Sequence, residues 1–265
     1  MNWNEILEQA PQFFLIFARI FALLSVAPLV SSSGIPGLVR SALALMTSFV
    51  VFPVVTASSQ VIVTGISLLW IALLIGEILI GLIYGFLIQL VYSAFQTAGQ
   101  FFSMQMGFGA SQVFDPLAQV EVPLMGQFFN LAAMFIFLTT QGMQKLFIGG
   151  IQYSFRTIRA QDFLLIREGL MSALVGSVGK LFQQALVLSF PILGTLFLVS
   201  LTMGLLAKAA PQMNLLMLGF PIAIFVAFMV IFIVLPPLMD TFGSLIEDAF
   251  RTASFLLRIP SEVTP

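Results

Sequence analysis

The sequence QTAGQFFSMQMGFGASQVFDPLAQVEVPLMGQ, from Gln96 to Gln127, decides how the rest of the chain is interpreted. This central segment holds four glycines and two prolines, so the sequence predicts neither a long unbroken helix nor a central strand there. Long apolar runs, Ile66–Phe95 and Phe128–Phe147, flank it. At membrane depth a broken backbone persists only where it is packed in protein or lines a wet cavity. The pattern therefore predicts a non-regular loop inside a pore.

The composition indicates an integral membrane protein. The chain is 60% hydrophobic and 8% charged, whereas about a quarter of the residues of a soluble domain are charged. We expect residues 1–265 to form one polytopic membrane domain. The net charge of −1 argues against nucleic-acid binding. The lack of Cys and His excludes disulfides, Cys or His metal sites and most catalysis by a His base. No phosphate loop, paired carboxylates or metal spacing is present, so no cofactor and no metal are expected.

Hydropathy predicts an all-α membrane protein of about six long, kinked helices, since a span needs about 20 mainly apolar residues. A cluster of charged residues at 149–170 separates helices four and five, and residues 241–265 read as an amphipathic tail with a short interfacial helix. The Lys and Arg residues set the membrane orientation only weakly, so it stays open. The predicted helices are Phe13–Val30, Leu38–Thr56, Val61–Phe95, Gln127–Ile148, Met171–Leu206 and Leu215–Leu238, the last ending at Pro236-Pro237.

Arg19 and Glu77 fall near the middle of two predicted spans. Each costs roughly 2.5 to 3.5 kcal/mol at a helix centre, so each needs a partner or water. The favoured interpretation is structural, either an ion pair between the two or contacts to a neighbouring subunit, and a proton or ion path is the alternative.

Two further groups indicate helix packing or assembly. Gly76, Gly81 and Gly85 surround Glu77, and small residues at four-residue spacing allow two helix backbones to approach closely. A polar turn and the residues after it join the last two helices, and a helix cap and turn is the favoured interpretation of the first three: they are Pro211, Gln212, Asn214, Phe220 and Pro221.

Within the central segment, large flexible side chains cluster around two glycines. From the residues alone, core packing is the favoured interpretation, and a deformable seal built on adaptable methionines is the minority alternative. Asp115-Pro116 indicates an Asx-type turn. The candidate gating residues are Met104, Gln105, Met106, Gly107, Phe108, Gly109, Phe114, Asp115 and Pro116.

Four blocks, spread in order from the first helix to the last, carry a resemblance to a known family. The sequence resembles FliR, a flagellar biosynthesis family of the type III export gate, more closely than the related virulence injectisome counterpart. One departure is Gly142-Met143-Gln144, where the family often has His residues. The blocks are Arg19–Leu45, Gly76–Phe86, Ala98–Pro116 and Lys208–Ile222.

The resemblance implies a non-enzymatic subunit that assembles with FliP-like and FliQ-like subunits and associates with an FlhB-like subunit. It implies that the candidate gating residues form a plug in a closed channel for exported flagellar proteins, in the bacterial inner membrane at the flagellar basal body. The rival hypotheses are a virulence-type export gate, a proton or solute transporter using Glu77, an intramembrane enzyme, and a scaffold without a pore.

Overall fold

The computed structural model describes residues 3–32, 34–58, 67–108, 124–152, 154–155, 167–212 and 214–256. Within these ranges every regular element is helical, which confirms the predicted all-α class. Five helices are long and apolar enough to cross a membrane, or six if α4 and the short helices after it count as one broken span. The elements are α1 (Trp3–Val26), α2 (Gly37–Ser58), α3 (Leu68–Gln105), α4 (Leu124–Thr139), α5 (Gly142–Lys145), a π-helix (Leu146–Gln152), α6 (Arg167–Ala209) and α7 (Leu215–Leu256).

The prediction that regular structure breaks at Gln96 was wrong. Helix α3 continues to Gln105, so the break begins only after that residue. Gly99, which favoured a break, lies inside the helix. Its missing side chain allows close packing, because a Cβ there would lie 2.6 Å from the carbonyl oxygen of Met125.

The predicted end of the last helix at Pro236-Pro237 was also wrong. Helix α7 runs through both prolines to Leu256, so the tail is not a separate interfacial helix in its described part. Prolines remove backbone donors, yet neighbouring helices and local adjustments make them tolerable in apolar helices. A similar extension occurs at the N-terminus, where α1 contains Pro11 instead of following it and ends at Val26.

The fourth predicted helix, Gln127–Ile148, is interrupted. Helix α4 ends at Thr139, and Gln141 adopts a left-handed conformation with φ of 58° before α5 begins. The π-helix that follows is an uncommon element, often found at functional sites.

The chain divides into two compact units. Unit 1 comprises Met1–Leu90, Gln141–Ser177 and Ile246–Pro265, and unit 2 comprises Val91–Thr140 and Val178–Leu245. A single polytopic domain therefore stays a prediction.

In unit 1, α1 and α3 approach closely at the glycines that the sequence marks for packing. A Cβ on Gly85 would lie 2.7 Å from the carbonyl oxygen of Leu23, and one on Gly81 would overlap the carbonyl oxygen of Arg19. The Trp70 indole N–H also donates to the Pro11 carbonyl at 3.1 Å. Helix α3 thus packs on α1 through backbone contacts that only glycine permits.

In unit 2, four buried aromatic rings form a cluster. Tyr92 makes edge-to-face contacts with Phe137 and Phe242, each with ring centroids 5.5 Å apart, and Phe95 contacts Phe242 at 4.3 Å. These contacts join α3, α4 and α7 just before the central segment.

Candidate functional site

The C-terminus of α3 ends in a glycine cap. The N–H of Phe108 donates to the Ser103 carbonyl at 3.3 Å, and the N–H of Gly107 donates to the Met104 carbonyl at 3.2 Å. Gly107 has φ of +91°, a left-handed conformation that residues with a Cβ rarely adopt. These two bonds and this backbone define a Schellman motif, which satisfies the last carbonyls of the helix. The helix therefore stops because Gly107 is glycine.

The ring of Phe220, near the start of α7, lies directly against Gly107. A Cβ built on Gly107 would overlap the Phe220 ring at Cδ1 and Cε1 and would lie 3.1 Å from Cγ. The structure thus brings together two predicted residues that the sequence assigns to different roles, gating and assembly. The space that a side chain at 107 would need is filled by an aromatic ring.

Helices α3 and α4, which precede and follow residues 109–123, pack together in a stem. Gly99 of α3 packs on the backbone of α4, where its Cβ would lie 2.8 Å from the Cα of Gly126. Two rings, Phe102 and Phe129, contact each other across the stem with centroids 5.2 Å apart. Helices α3 and α4 therefore pack together near the start of α4.

The methionines of the cap face different surroundings. Met106 is fully buried, as is Phe102, whereas Met104 is 79% exposed. Gln105 and Phe108 are half-buried. Met104 therefore offers an apolar side chain outward from the stem. The remaining candidate gating residues, Gly109, Phe114, Asp115 and Pro116, lie outside the described residues.

The start of α7 is capped as the polar turn predicts. The Oδ1 of Asn214 accepts a hydrogen bond from the N–H of Met217 at 3.4 Å, as an N-cap residue does. Pro211 and Gln212 lie in an exposed turn, and Pro221 is exposed inside the helix directly after Phe220. This turn positions Phe220 about one and a half helical turns into α7.

In unit 1, Arg19 and Glu77 form an ion pair in which Arg19 is 1% exposed. The guanidinium also donates from NH1 to the Ser154 carbonyl at 2.9 Å and lies over the Phe155 ring, 4.2 Å from its centroid. We refer to Arg19, Glu77, Ser154 and Phe155 as the Arg19 cluster. It joins α1 and α3 to the segment that follows the π-helix. Gly76, also predicted for packing, is buried one residue before Glu77.

Sequence reasoning missed Ser154 and Phe155 in the Arg19 cluster, and it missed the contact of Gly107 with Phe220. No spacing in the sequence pairs these residues, because they are remote in the chain. The one available signal was the aromatic-proline pair Phe220-Pro221, which lies in one of the four blocks that carry the resemblance.

Comparison with known proteins identifies the class. Residues 10–249 match the family described as "Bacterial export proteins, family 1", and the chain therefore belongs to this family of bacterial export proteins.

Among curated proteins the chain is similar to the "Flagellar biosynthetic protein FliR" of several bacteria. It is 30% identical to the one from Pectobacterium carotovorum over 258 residues, which is 97% of this chain and 96% of that protein. The identity is 29% with that of Borreliella burgdorferi, over 99% of this chain and 97% of that protein, and 29% with that of Escherichia coli, over 90% of each. The resemblance to FliR drawn from the sequence is thereby confirmed.

Proposed function

We propose that this chain is a non-enzymatic core subunit of the flagellar type III protein-export gate, which helps to form a channel for unfolded flagellar subunits and seals it at rest. In this proposal it lies in the bacterial inner membrane at the flagellar basal body. It assembles there with FliP-like and FliQ-like subunits and associates with an FlhB-like subunit.

The observation that carries the proposal is the stem of the central segment. Because α3 and α4 pack together at Gly99 and Gly126, the two helices that bound the central segment form one fixed base for it. Such a loop can occupy a pore without any movement of the helices that carry it. Met104, near the C-terminus of α3, adds an exposed apolar side chain to this base.

The sealing chemistry is dewetting. A narrow constriction lined with apolar side chains excludes water and therefore ions. Methionine and phenylalanine suit this role, since methionine adapts to irregular surfaces and releases them at low cost. The energy for export comes from other components, because the sequence holds no nucleotide-binding motif.

Deletion of Met104–Gly109 tests the seal. In cells that assemble the export complex, we expect the deletion to raise the passage of small ions across the membrane. A deletion of equal length at the C-terminal end of the sequence, Pro260–Pro265, controls for general damage. An unchanged ion leak with the complex fully assembled would refute the seal.

Cross-linking tests the channel. The natural chain has no cysteine, so a single engineered cysteine is unique. A photo-cross-linker on a cysteine at Met104, which is exposed, should capture an export substrate stalled in transit, whereas the same reagent at the fully buried Met106 should not. Capture at neither position, with capture by another subunit of the same complex, would favour a scaffold without a pore.

A further inference from the structure

The contact between Gly107 and Phe220 gives the sealing loop a defined starting point. We infer that Phe220 is a positioning residue for the loop: its ring fixes the place and direction in which the chain leaves α3, and its removal loosens the closed state. This inference rests on the proposed function, since it concerns the same loop.

The geometry supports a positioning role. A glycine in the left-handed conformation has no side chain of its own to restrict the neighbouring torsions, and glycine is the residue with the most freedom to lose. The Phe220 ring occupies the space above Gly107 where the missing side chain would lie. The rigid Phe220 ring therefore restricts the backbone torsions of Gly107 from outside, so a movement of the ring changes the freedom of Gly107.

The position of the Phe220 ring depends on the first turns of α7. Asn214 caps this helix, so the first turns of α7 have a defined beginning. Pro221 follows Phe220 directly and cannot donate a backbone hydrogen bond to Met217. The helix is therefore weakened locally at the residue that carries the ring. A displacement of the start of α7 would carry the ring off Gly107 and free the loop.

The first test measures the ion leak of the assembled export complex with Phe220→Ala. We expect a leak about tenfold above that of the unchanged complex, which corresponds to about 1.4 kcal/mol of closed-state preference. Phe225→Ala is the matched control, because Phe225 lies on the same helix and is 66% exposed. Its leak should equal that of the unchanged complex, and the amount of complex should be the same for both variants.

The second test uses Gly107→Ala with and without Phe220→Ala and measures the export rate. The new methyl group overlaps the ring, so Gly107→Ala alone should reduce export, and the added Phe220→Ala should restore part of it. Gly99→Ala is the control, because its obstacle is the backbone of α4 and not the ring. Phe220→Ala should not restore export to that variant. This rescue also decides the matter if either single variant assembles poorly.

The outcomes separate the two proposals. If the deletion of Met104–Gly109 leaks while Phe220→Ala does not, and Gly107→Ala is not rescued, the positioning role is refuted and the seal stands. If the deletion does not leak, the seal is refuted whatever the rescue shows. If the deletion and Phe220→Ala both leak, and Phe220→Ala rescues Gly107→Ala, the seal and the positioning role are both supported.

Discussion

The Arg19 cluster in unit 1 and the glycine cap at Gly107 in unit 2 each fix one point of the chain, by different physical means. In the first, a buried guanidinium satisfies a carboxylate, a carbonyl and an aromatic face. In the second, a ring fills a space left by a glycine, with no charge involved. A charged contact in an apolar interior is costly to break, because one partner stays buried without compensation. A shape contact is released by the movement of one side chain. The Arg19 cluster therefore costs more to separate than the contact of Phe220 with Gly107.

The largest expected effect is the loss of Arg19. Arg19→Met leaves the Glu77 carboxylate, which is only 12% exposed, without its partner, and breaking such a pair costs about 3–5 kcal/mol. We expect the protein to fail to accumulate, measured by immunoblot of membranes. The paired variant Arg19→Met with Glu77→Leu removes both charges and should recover most of the accumulation. Equal loss in the single and paired variants would show that charge is not the source of the effect.

The next effect in size comes from Gly81. Gly81→Ala places a methyl group on the carbonyl oxygen of Arg19, a backbone atom that cannot rotate away, and overpacking of this kind costs about 1–3 kcal/mol. The midpoint of thermal unfolding of the detergent-solubilised complex should fall. Gly176→Ala serves as the control, because a Cβ there meets nothing within 4 Å and alanine favours a helix by about 1 kcal/mol. A fall of equal size for both variants would mean that close packing on α1 does not explain the result.

A smaller effect is expected from the positive φ of Gly107 alone, once the overlap with the Phe220 ring has been removed. In the Phe220→Ala background only the left-handed conformation remains, which costs a residue with a Cβ about 1–2 kcal/mol. Asparagine tolerates this conformation better than alanine. Gly107→Asn should therefore export faster than Gly107→Ala when both carry Phe220→Ala. Identical rates would mean that the positive φ contributes nothing to the defect.

The smallest effect is expected at the exposed ion pair of unit 1. Lys145 and Glu247 lie 2.8 Å apart with both side chains open to solvent. Exposed pairs of this kind contribute little, because water and salt screen them. Lys145→Gln should leave accumulation and export unchanged, in contrast to Arg19→Met. A loss comparable to that of Arg19→Met would show that burial does not distinguish the two pairs.

The sequence predicts most of what depends on local composition. The all-α membrane class follows from hydropathy, and the close approach of α3 to α1 follows from the four-residue spacing of Gly81 and Gly85. The stop of α3 is also local, since glycine at the C′ position ends a helix. The predicted end of α3 was too early, because Gly99 was taken as a residue that ends the helix, whereas it allows α3 to pack closely on α4.

The remaining features depend on residues far apart in the chain. Nothing in the spacing pairs Phe220 with Gly107, or Arg19 with Ser154 and Phe155, because these contacts arise only when the helices pack. The continuation of α7 through Pro236-Pro237 was missed for a similar reason. The low helix propensity of proline argues against a continuous helix at this point, while the apolar surroundings of a packed helix tolerate the two prolines.

Helix α3 is too long to serve only as a membrane anchor. Its 38 residues make a straight helix about 57 Å long, against a hydrocarbon core of about 30 Å. Even at a tilt of about 40°, the upper end of the usual range, it would rise about 44 Å across the bilayer. Apolar surface is therefore left over that lipid does not cover, and helices of the same chain cover part of it, since 56% of this span is buried. We expect other proteins to cover the rest, so the chain should accumulate less when it is expressed alone.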